Sequence, residues 1–386
     1  MKLVVVSHTP HYRSAAGIVG WGSTVREIDH LAELFREVVH VAPLHEVPVP
    51  ESAMGYTSAR VRVVAVRPAG GEQARAKVGI ILRAPGWARA ILREAADADV
   101  LHVRCPAGIS LVTLALLPFV RRGVKCWVKY AGNWNPDGRE PWTYRLQRQW
   151  LRSGRARSIV TVNGAWPDQP AHVHAFLNPC LTETELEEGR QAAAEKTLDD
   201  PVRLLFVGRL EKEKGAGHAI CILERLQASK VVATIDFVGD GPERGAFEAL
   251  SQELGIRDAV RFHGWRKRSE LRTFFSQAHF LLLPTVASEG WPKVLSESMA
   301  YGAVPLAGRV SCISQYLELF QTGRAFPASS EQAFIDAIAW YAGNPSAWKE
   351  ESQRAVTAAR LFSYSRYLEA VRSLLELPPG RTARAQ

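Results

Sequence analysis

The stretch FLLLPTVASEGWPKVLSESMAYGAVPLAG (280–308) has the pattern of a strand, a loop, a helix and a second strand. The first strand is the apolar run 280–283, and the second is 304–308. Pro292 suits the first position of the helix, because the N–H that proline lacks has no partner there. Gly302 suits the end of the helix. Two strands joined by a helix form a parallel pair, so the stretch predicts a βαβ unit.

The same pattern recurs along the chain. Short apolar runs alternate with longer helix-like stretches, and the runs are continuous, which is typical of strands buried on both faces. The predicted strands are 3–8, 38–44, 61–66, 100–104, 126–132, 158–164, 174–178, 203–208, 234–239, 260–264, 280–285 and 304–308. They are numerous enough for two sheets, which predicts two Rossmann-like, doubly wound α/β domains facing across a cleft.

The predicted boundaries follow from composition. We expect an N-terminal domain over 1–181, a polar linker or surface helix over 182–200 and a C-terminal domain over 201–362. Residues 363–386 are expected to form a helix that crosses back to the first domain, followed by a flexible tail.

Composition indicates a foldable globular protein: 47% of the 386 residues are hydrophobic and 23% are charged. The longest apolar run, 109–120, is short for a membrane span and predicts a buried helix. The N-terminus reads as a first strand rather than a signal peptide, so we expect a cytoplasmic protein. The five cysteines lack metal-site spacing and are expected to be buried free thiols: Cys105, Cys126, Cys180, Cys221 and Cys312.

Positive charge is concentrated in the first half of the chain. The formal net charge is +9, and residues 1–180 hold 23 Lys and Arg against 13 Asp and Glu. The rest of the chain holds 25 against 26. A basic half attracts anionic partners such as nucleic acid, anionic lipid or a phosphorylated substrate, but it is equally compatible with a solvated surface that has no partner.

Two strand-to-helix turns in the second half carry charged residues suited to a nucleotide sugar. Arg209 and Lys214 follow one strand and could hold a diphosphate together with the amides of the helix start. Glu289 precedes the helix of the opening stretch, and Glu297 lies within it. Side chains lean toward a helix N-terminus, so Glu297 is expected to approach the Glu289 loop. Two carboxylates beside free amides suit a ligand with hydroxyls on both sides of a diphosphate.

Together these motifs resemble the retaining glycosyltransferases of family 4, which have the GT-B fold. The motifs that carry the resemblance are GRLEKEKG (208–215), VGDGPER (238–244), RFHGW (261–265) and EGWPKVLSE (289–297), followed by SMAYGAVPLA (298–307). Their order, their intervals and the spacing of the two glutamates match that family. The resemblance covers most of 200–310 and is looser in the first half.

The resemblance implies a role for each motif residue. Arg209 and Lys214 would neutralise the leaving diphosphate, Glu289 would hold the hydroxyls of the donor sugar, and Glu297 would bind the ribose. Other donor contacts would come from the glycine turns and from the backbone near the base: Gly20, Gly22, Gly208, Trp265, Gly290 and Trp291. Transfer would need no metal and no cofactor, since the nucleotide sugar is a substrate. Pro292 departs from the family pattern and removes one amide donor.

The acceptor side is less determined. His102, near a strand end, and Asn133, after the strand 126–132, are the predicted acceptor-side residues. Arg104 lies beside His102, and His8 and His11 follow the first strand. The motif Asp97-Ala98-Asp99 resembles a metal-binding DxD, but it precedes a strand and is interpreted as a turn.

Basic and aromatic residues mix over 74–94 and 134–157, which suits the surface of an anionic membrane. The alternative is two ordinary helices with one solvated face. We hypothesise a peripheral membrane contact and a saccharide or lipid-linked acceptor, used in cell-surface glycan biosynthesis.

Three other classes remain open at this point. A nucleotide-sugar epimerase of GT-B shape would bind the same donor. An NAD-dependent dehydrogenase is disfavoured because no strict glycine fingerprint follows a strand. A non-catalytic basic module that binds nucleic acid is disfavoured because no nucleic-acid-binding motif accompanies the charge, and we predict no nucleic-acid partner.

Overall fold

The computed structural model describes residues 1–70, 74–136, 138 and 140–378, with the side chains of 74–78 left out. The chain forms two compact units, Met1–Phe176 with the C-terminal residues from Tyr367, and Leu177–Arg366. The predicted flexible tail lies mostly in 379–386, outside the described residues.

The first unit is built on a ten-stranded, mostly parallel sheet. Its strands are β1 (Lys2–Val6), β2 (His11–Ser14), β3 (Gly17–Trp21), β4 (Glu37–His45), β5 (Ala53–Gly55), β6 (Val61–Val66), β7 (Val100–Cys105), β8 (Lys125–Tyr130), β9 (Ile159–Val162) and β10 (Val173–Ala175). Its first four helices are α1 (Gly22–Leu31), α2 (Ala74–Ala95), α3 (Gly108–Leu116) and α4 (Trp142–Arg152). The strand order is β10-β9-β8-β7-β1-β4-β2-β3-β5, with β6 also paired to β4.

The second unit is built on a six-stranded parallel sheet of order β13-β12-β11-β14-β15-β16. Its strands are β11 (Val202–Val207), β12 (Ala233–Val238), β13 (Val260–Phe262), β14 (Phe280–Leu283), β15 (Val304–Gly308) and β16 (Arg324–Phe326). Its helices are α5 (Glu183–Glu195), α6 (Ala216–Ala228), α7 (Arg244–Glu253), α8 (Arg268–Gln277), α9 (Lys293–Ala300), α10 (Ile313–Phe320), α11 (Glu331–Gly343) and α12 (Pro345–Ala359). A last helix, α13 (Tyr364–Leu374), runs into the first unit.

Helices cover both faces of the first sheet, as the continuous apolar strands predict. Every residue of β1 is buried. Leu3 and Val5 belong to the core on one face, and Val4 and Val6 belong to the core on the other. The first of these cores includes Tyr367 and Val371, so α13 completes a helical layer of this unit. All twelve predicted strands are present, and two parallel α/β units are confirmed.

A hairpin and an edge strand are not evident from the sequence. β2 and β3 pair antiparallel between β1 and α1, where the sequence predicts only a glycine-containing turn. These strands are short and half-exposed, so they lack the continuous apolar run that marks the central strands. β16 is also not predicted, because it has only three residues and none of them is fully buried.

The segment 182–200, expected to be a linker or a surface helix, contains α5 and lies in the second unit. Thr182 and Glu185 form a capping box at its start. Its end is held by Lys349 of α12, whose ammonium donates to the carbonyls of Ala193, Ala194 and Lys196. The helix therefore packs as an integral part of this unit, against α8, α9 and α12.

Candidate functional site

Glycines allow the loops that follow the strands of the second sheet to lie unusually close together. A Cβ on Gly215, which has φ 86°, would lie 2.1 Å from the carbonyl oxygen of Pro284. A Cβ on Gly239 would lie 2.0 Å from the carbonyl oxygen of Gly208, and a Cβ on Gly308 would lie 2.0 Å from the carbonyl oxygen of Thr285. No side chain fits at such distances. The loops after β11, β12, β14 and β15 thus meet at the carboxyl edge, where α/β sheets bind ligands.

Lys214 and Glu289, predicted from two separate motifs, form an ion pair at this edge. The Lys214 Nζ lies 2.8 Å from Glu289 Oε2, and both side chains are about one quarter exposed. The other carboxylate oxygen, Glu289 Oε1, is buried and accepts no hydrogen bond from the described part of the chain. A buried acceptor without a donor is costly. This oxygen therefore marks the place where a donor from outside the chain would fit.

The loop that carries Glu289 is fixed from the β11 side. The carbonyl of Glu213 accepts hydrogen bonds from the amides of Val286 and Ala287 and from the Thr285 hydroxyl. The amide of Glu289 then donates to the carbonyl of Ala287. Glu213 neighbours Lys214 in the chain, so the same short segment positions both the cation and its carboxylate partner.

The start of α9 is anchored by the side chain of Trp291. Its indole is buried, stacks on Phe362 at 5.3 Å between ring centroids and donates to the Ser296 hydroxyl at 2.7 Å. Only the backbone of Trp291 is therefore available to a ligand. In the described part of the chain, the amides of Gly290 and Trp291 make no backbone hydrogen bond. Pro292 is the cap residue rather than the first helical residue, and α9 ends before Gly302, as predicted.

Glu297 is held by a different cation. Arg268, the first residue of α8, pairs with Glu297, and its Nε lies 2.6 Å from the carboxylate of Glu185. It also donates to the carbonyl oxygen of Cys180. Burial alone would lower the pKa of Arg268, but the Glu297 carboxylate raises it. Arg268 therefore stays charged and fixes the orientation of Glu297.

Arg268 and Glu185 are not among the residues predicted from the sequence. The signal that could have revealed Arg268 is the run of cations Arg266, Lys267 and Arg268 after RFHGW. In the structure the first two are exposed and the third turns inward. Which member of such a run faces the protein depends on the angle at which α8 begins, and the sequence does not give that angle.

Arg209 lies on the surface of the same edge. Its side chain is 61% exposed, and its guanidinium lies 2.6 Å from the carboxylate of Glu211. Gly208 donates its amide to the Val238 carbonyl, and Gly239 donates to Gly264, just before the half-buried Trp265. The predicted diphosphate-binding segment follows β11 and the predicted base-binding segment follows β13, and β12 lies between these two strands of the sheet.

The predicted residues of the first unit have structural partners. Gly20 faces the His11 ring across the β2–β3 hairpin, and a Cβ there would lie 2.6 Å from His11 Nε2. Gly22 begins α1, and its amide donates to the Ser52 carbonyl. Close packing accounts for both glycines without a ligand.

His102 lies deeper in its strand than predicted, whereas Asn133 follows its strand, as predicted. His102 lies in the middle of β7, fully buried, and stacks on Trp127 at 3.7 Å between centroids. It is a core residue in this structure. Asn133 follows β8 at the carboxyl edge, but its side chain accepts from the Asn135 amide and so shapes a turn. Asp97 and Asp99 form the predicted turn, and both carboxylates accept hydrogen bonds from Lys2.

Two features are absent from the described residues. Among them, no group of three or more His, Cys, Asp or Glu side chains is arranged to hold a metal ion. No described helix combines the length and the apolar character that crossing a membrane requires.

Residues 189–362 match the sequence model of the family described as Glycosyl transferases group 1. The matched residues cover most of the second unit, Leu177–Arg366. An amylovoran biosynthesis glycosyltransferase of Erwinia amylovora is 29% identical over 143 residues, which is 35% of each chain. Across the first curated relatives, the matched segments span between about a third and a half of the relative's length.

Solved structures extend the comparison beyond the glycosyltransferase domain. Sucrose-phosphate synthase from Thermosynechococcus elongatus has a TM-score of 0.72 at 17% identity, covering 97% of this chain and 98% of its own. Anabaena HepE in complex with UDP has a TM-score of 0.67 at 15% identity, covering 97% and 100%. These similarities show the fold: the chain has the two-domain α/β architecture of the GT-B class, as predicted.

Proposed function

We propose that the protein is a retaining glycosyltransferase that moves a hexosyl group from a UDP- or GDP-sugar to a saccharide or lipid-linked acceptor. The observation that carries the proposal is the Lys214–Glu289 pair with its unsatisfied buried oxygen, Glu289 Oε1. The glycosyltransferase group 1 domain that contains it, and the UDP bound by the structural neighbour HepE, support the same donor class. The relatives' polysaccharide-related names favour a role in glycan biosynthesis.

In this proposal the donor rearranges the ion pairs at the carboxyl edge. A diphosphate carries more negative charge than one carboxylate, so it competes with Glu289 for Lys214 and with Glu211 for the exposed Arg209. Glu289 is then free to accept hydrogen bonds from the sugar hydroxyls, including one at Oε1. Glu297, held by Arg268, accepts from the ribose hydroxyls, and the amides of Gly290 and Trp291 face the sugar or the phosphate.

The chemical step follows from this arrangement. The bond between the anomeric carbon and the β-phosphate oxygen breaks, and Arg209 and Lys214 stabilise the charge that develops on the diphosphate. The acceptor hydroxyl attacks from the same face, which retains the configuration, and its proton passes to the departing phosphate oxygen. The proposal requires no protein nucleophile, metal or cofactor.

Calorimetry with UDP, GDP, ADP and dTDP, in buffer without metal, tests the donor site. We expect micromolar binding of one nucleotide and at least a tenfold loss in Arg209→Ala. Arg190→Ala is the matched control, because Arg190 is an exposed arginine paired with a glutamate of its own helix. Failure of all four nucleotides to bind would contradict the proposal. Conversion of a nucleotide sugar to its epimer without acceptor would favour the epimerase instead.

We also propose that the first unit contacts the cytoplasmic face of an anionic membrane. The observation that favours this contact is the mixture of exposed apolar and basic side chains on α2 and α4. Ile81, Leu82 and Trp142 are 63 to 74% exposed, and Arg83 and Arg145 are exposed beside them. Arg75 and Lys77 of the predicted basic stretch lie among the side chains that are not described.

Vesicle pelleting tests the membrane contact. We expect the protein to sediment with vesicles that contain phosphatidylglycerol at low salt, and to remain in solution with phosphatidylcholine vesicles alone. The double variant Arg83→Glu/Arg145→Glu should lose sedimentation, whereas Arg354→Glu in the second unit should keep it. Absence of binding to the anionic vesicles at every salt concentration would contradict the contact.

A further inference from the structure

The first unit contains a cavity of about 830 Å³. Of the residues considered from the sequence for the acceptor side, His8 alone is among its described lining residues. It lies at the carboxyl edge of the sheet, next to the residues that follow β1, β4, β6 and β7. α2, α3 and the start of α4 close its sides. Ligands of α/β sheets bind at this edge, and the volume lies in the range of small-molecule sites.

The walls of this cavity are apolar. Val66, Ile80, Trp87, Ile109 and Leu111 contribute most of the hydrophobic lining, together with four prolines. Trp87 offers only its ring, because its indole N–H already donates to the Arg67 carbonyl at 2.9 Å. Among the described lining residues, the polar side chains are those of His8, His45, Thr143 and Tyr144.

The described lining residues carry no charged side chain. Although the first half of the sequence holds the chain's whole excess of positive charge, no Lys, Arg, Asp or Glu is among the described residues around the cavity. A phosphate or a carboxylate would find no counter-ion there, and a free sugar would lose hydrogen bonds to water without replacement. The cavity therefore suits an uncharged hydrocarbon group.

The helices beside the cavity indicate where such a group comes from. Ile80 lines the cavity, and its neighbours Ile81 and Leu82 are more than 70% exposed. Tyr144 also lines it, between the exposed Trp142 and Leu146. Exposed arginines lie beside both groups, including Arg83, Arg89 and Arg145. An apolar cavity bordered by exposed apolar and cationic side chains is complementary to a lipid in an anionic bilayer.

We propose that this cavity takes the hydrocarbon chain of a lipid-linked acceptor, so that its sugar or headgroup is held at the carboxyl edge of the first sheet. This inference rests on the proposed function and narrows its acceptor to an amphipathic lipid. It also explains the basic half of the chain: the arginines bind the membrane surface while the cavity itself stays uncharged.

Calorimetry with methyl, hexyl and octyl β-glucosides tests the cavity without any donor. The glucosides are used below the concentrations at which they form micelles. Each methylene that enters an apolar site should tighten binding by about fourfold, so octyl glucoside should bind at least 100-fold more tightly than methyl glucoside. Equal affinity for the three glucosides would overturn the proposal.

Two cavity-filling variants and one control test whether the alkyl chain of the glucoside binds in this cavity. Leu111→Trp and Ala69→Phe both add bulk at residues that line the cavity, and each should reduce the gain in affinity from methyl to octyl glucoside at least tenfold. Leu82→Trp makes the same change as Leu111→Trp on an exposed residue outside the lining, and it should leave the gain intact. If both filling variants keep the wild-type gain in affinity from methyl to octyl glucoside, the proposal is also overturned.

The result is independent of the donor site. In one outcome, nucleotides fail to bind, while the affinity of the wild-type protein for glucosides still rises with chain length and this rise is lost in the filling variants. In that case the proposed transfer is wrong and the cavity is a hydrocarbon site of another activity. If nucleotides bind and sugar is transferred to methyl and octyl glucosides with equal kcat/KM, the transferase stands and the lipid acceptor is refuted.

Discussion

At the scale of single residues, the candidate site is defined by how each carboxylate is paired. Glu289 has one oxygen held by Lys214 and one buried oxygen that no described residue satisfies. Glu297 is fixed by Arg268, which is itself shared with Glu185. In the proposed function, the first glutamate exchanges its partner for the donor, and the second is already held in place by Arg268.

The first prediction concerns Glu289. Glu289→Gln keeps the size of the side chain but loses the charge, so its hydrogen bonds to the sugar weaken and its pairing with Lys214 is lost. We expect kcat to fall roughly 10- to 100-fold, with the far-ultraviolet circular dichroism spectrum unchanged. Glu318→Gln, on an exposed residue of α10, should leave kcat unaltered. A fully active Glu289→Gln enzyme would remove Glu289 from the site.

The second prediction concerns Arg268 as the residue that positions Glu297. Arg268→Gln should raise the KM for the nucleotide sugar about tenfold or more, because one bond to a charged group is lost, while kcat changes less. The variant should also lose the preference for the ribose nucleotide over its 2′-deoxy analogue. Arg268→Lys should be intermediate, since lysine keeps the charge but not the planar fork. An unchanged preference in Arg268→Gln would refute the positioning role.

At the scale of elements, two lysines, one of them buried, hold the ends of helices in the second unit. The Lys196 ammonium donates to the carbonyls of Phe275, Ala278 and Tyr301, at the ends of α8 and α9. Lys349 does the same at the end of α5. A cation at a helix C-terminus satisfies free carbonyls and interacts favourably with the helix dipole. Lys196 thus holds the helices that carry Arg268 and Glu297, and Lys349 holds the helix that carries Glu185.

The third prediction follows from this capping. Lys196→Met leaves three buried carbonyls without a donor, which should lower the free energy of unfolding of the second unit by roughly 3 kcal/mol or more. Chemical denaturation followed by circular dichroism measures it. Lys230→Met, at an exposed turn, is the control and should change the stability little. Equal stability of the two variants would contradict the capping role.

The hairpin β2–β3 depends on a closed chain of hydrogen bonds in the first unit. His11 Nδ1 lies 2.9 Å from the Thr9 carbonyl, which can only accept, so this nitrogen carries a proton. In a neutral ring Nε2 then accepts from the Tyr56 hydroxyl, which in turn accepts from His40 Nδ1. His40 Nε2 accepts from Ser7, and Ser7 accepts from the Thr9 amide. Every hydrogen bond of this network can be made with both histidines neutral.

The fourth prediction is a loss of stability in acid. Burial lowers the pKa of His11 to about 4 and that of His40 well below its usual value. Between about pH 6.5 and pH 4 the unfolded chain therefore binds more protons at these sites than the folded chain, and stability falls as the pH falls. His11→Asn should reduce the slope of the free energy of unfolding against pH by up to about 1.4 kcal/mol per pH unit in this range. His30→Asn, on a half-exposed helix position, should retain the wild-type slope in thermal melts.

At the scale of the whole molecule, the chain closes its first unit with its last helix. Tyr367, Val371 and Leu375 lie in the core that also contains Leu3, and Tyr367 donates to the buried carboxylate of Glu27. Glu27 also pairs with Arg104 and Lys129. This unit therefore needs residues that are separated from it in sequence by the entire glycosyltransferase domain.

The fifth prediction tests this closure by truncation. A chain that ends at Arg366 lacks the α13 residues of the first core and exposes its apolar surface, so we expect a fall in melting temperature and aggregation of the purified protein. A chain that ends at Pro378 retains them and should melt like the full-length protein. If both truncated chains melt at the wild-type temperature, α13 does not contribute to the stability of the first unit.

Much of the fold could be predicted because local patterns report it directly. The continuous apolar strands, Gly302 after α9 and the order of the second-unit motifs all depend on residues close together in sequence. The hairpin β2–β3 and β16 could not be predicted, since short half-exposed strands are defined by their pairing partners. Among the predicted site residues, Lys214 and Glu289 lie together in the structure, whereas His102 was placed near a strand end and lies inside the core.

The sequence by itself determined the two-sheet α/β architecture, the motifs of the glycosyltransferase domain and the uneven charge, because periodicity and composition encode them locally. Only the tertiary structure decided which cation holds which glutamate, which of three adjacent cations turns inward and where, within a basic half, a cavity lies whose described lining has no charged side chain. Those properties depend on the distances between segments far apart in the chain, and the packing of the helices on the two sheets sets these distances.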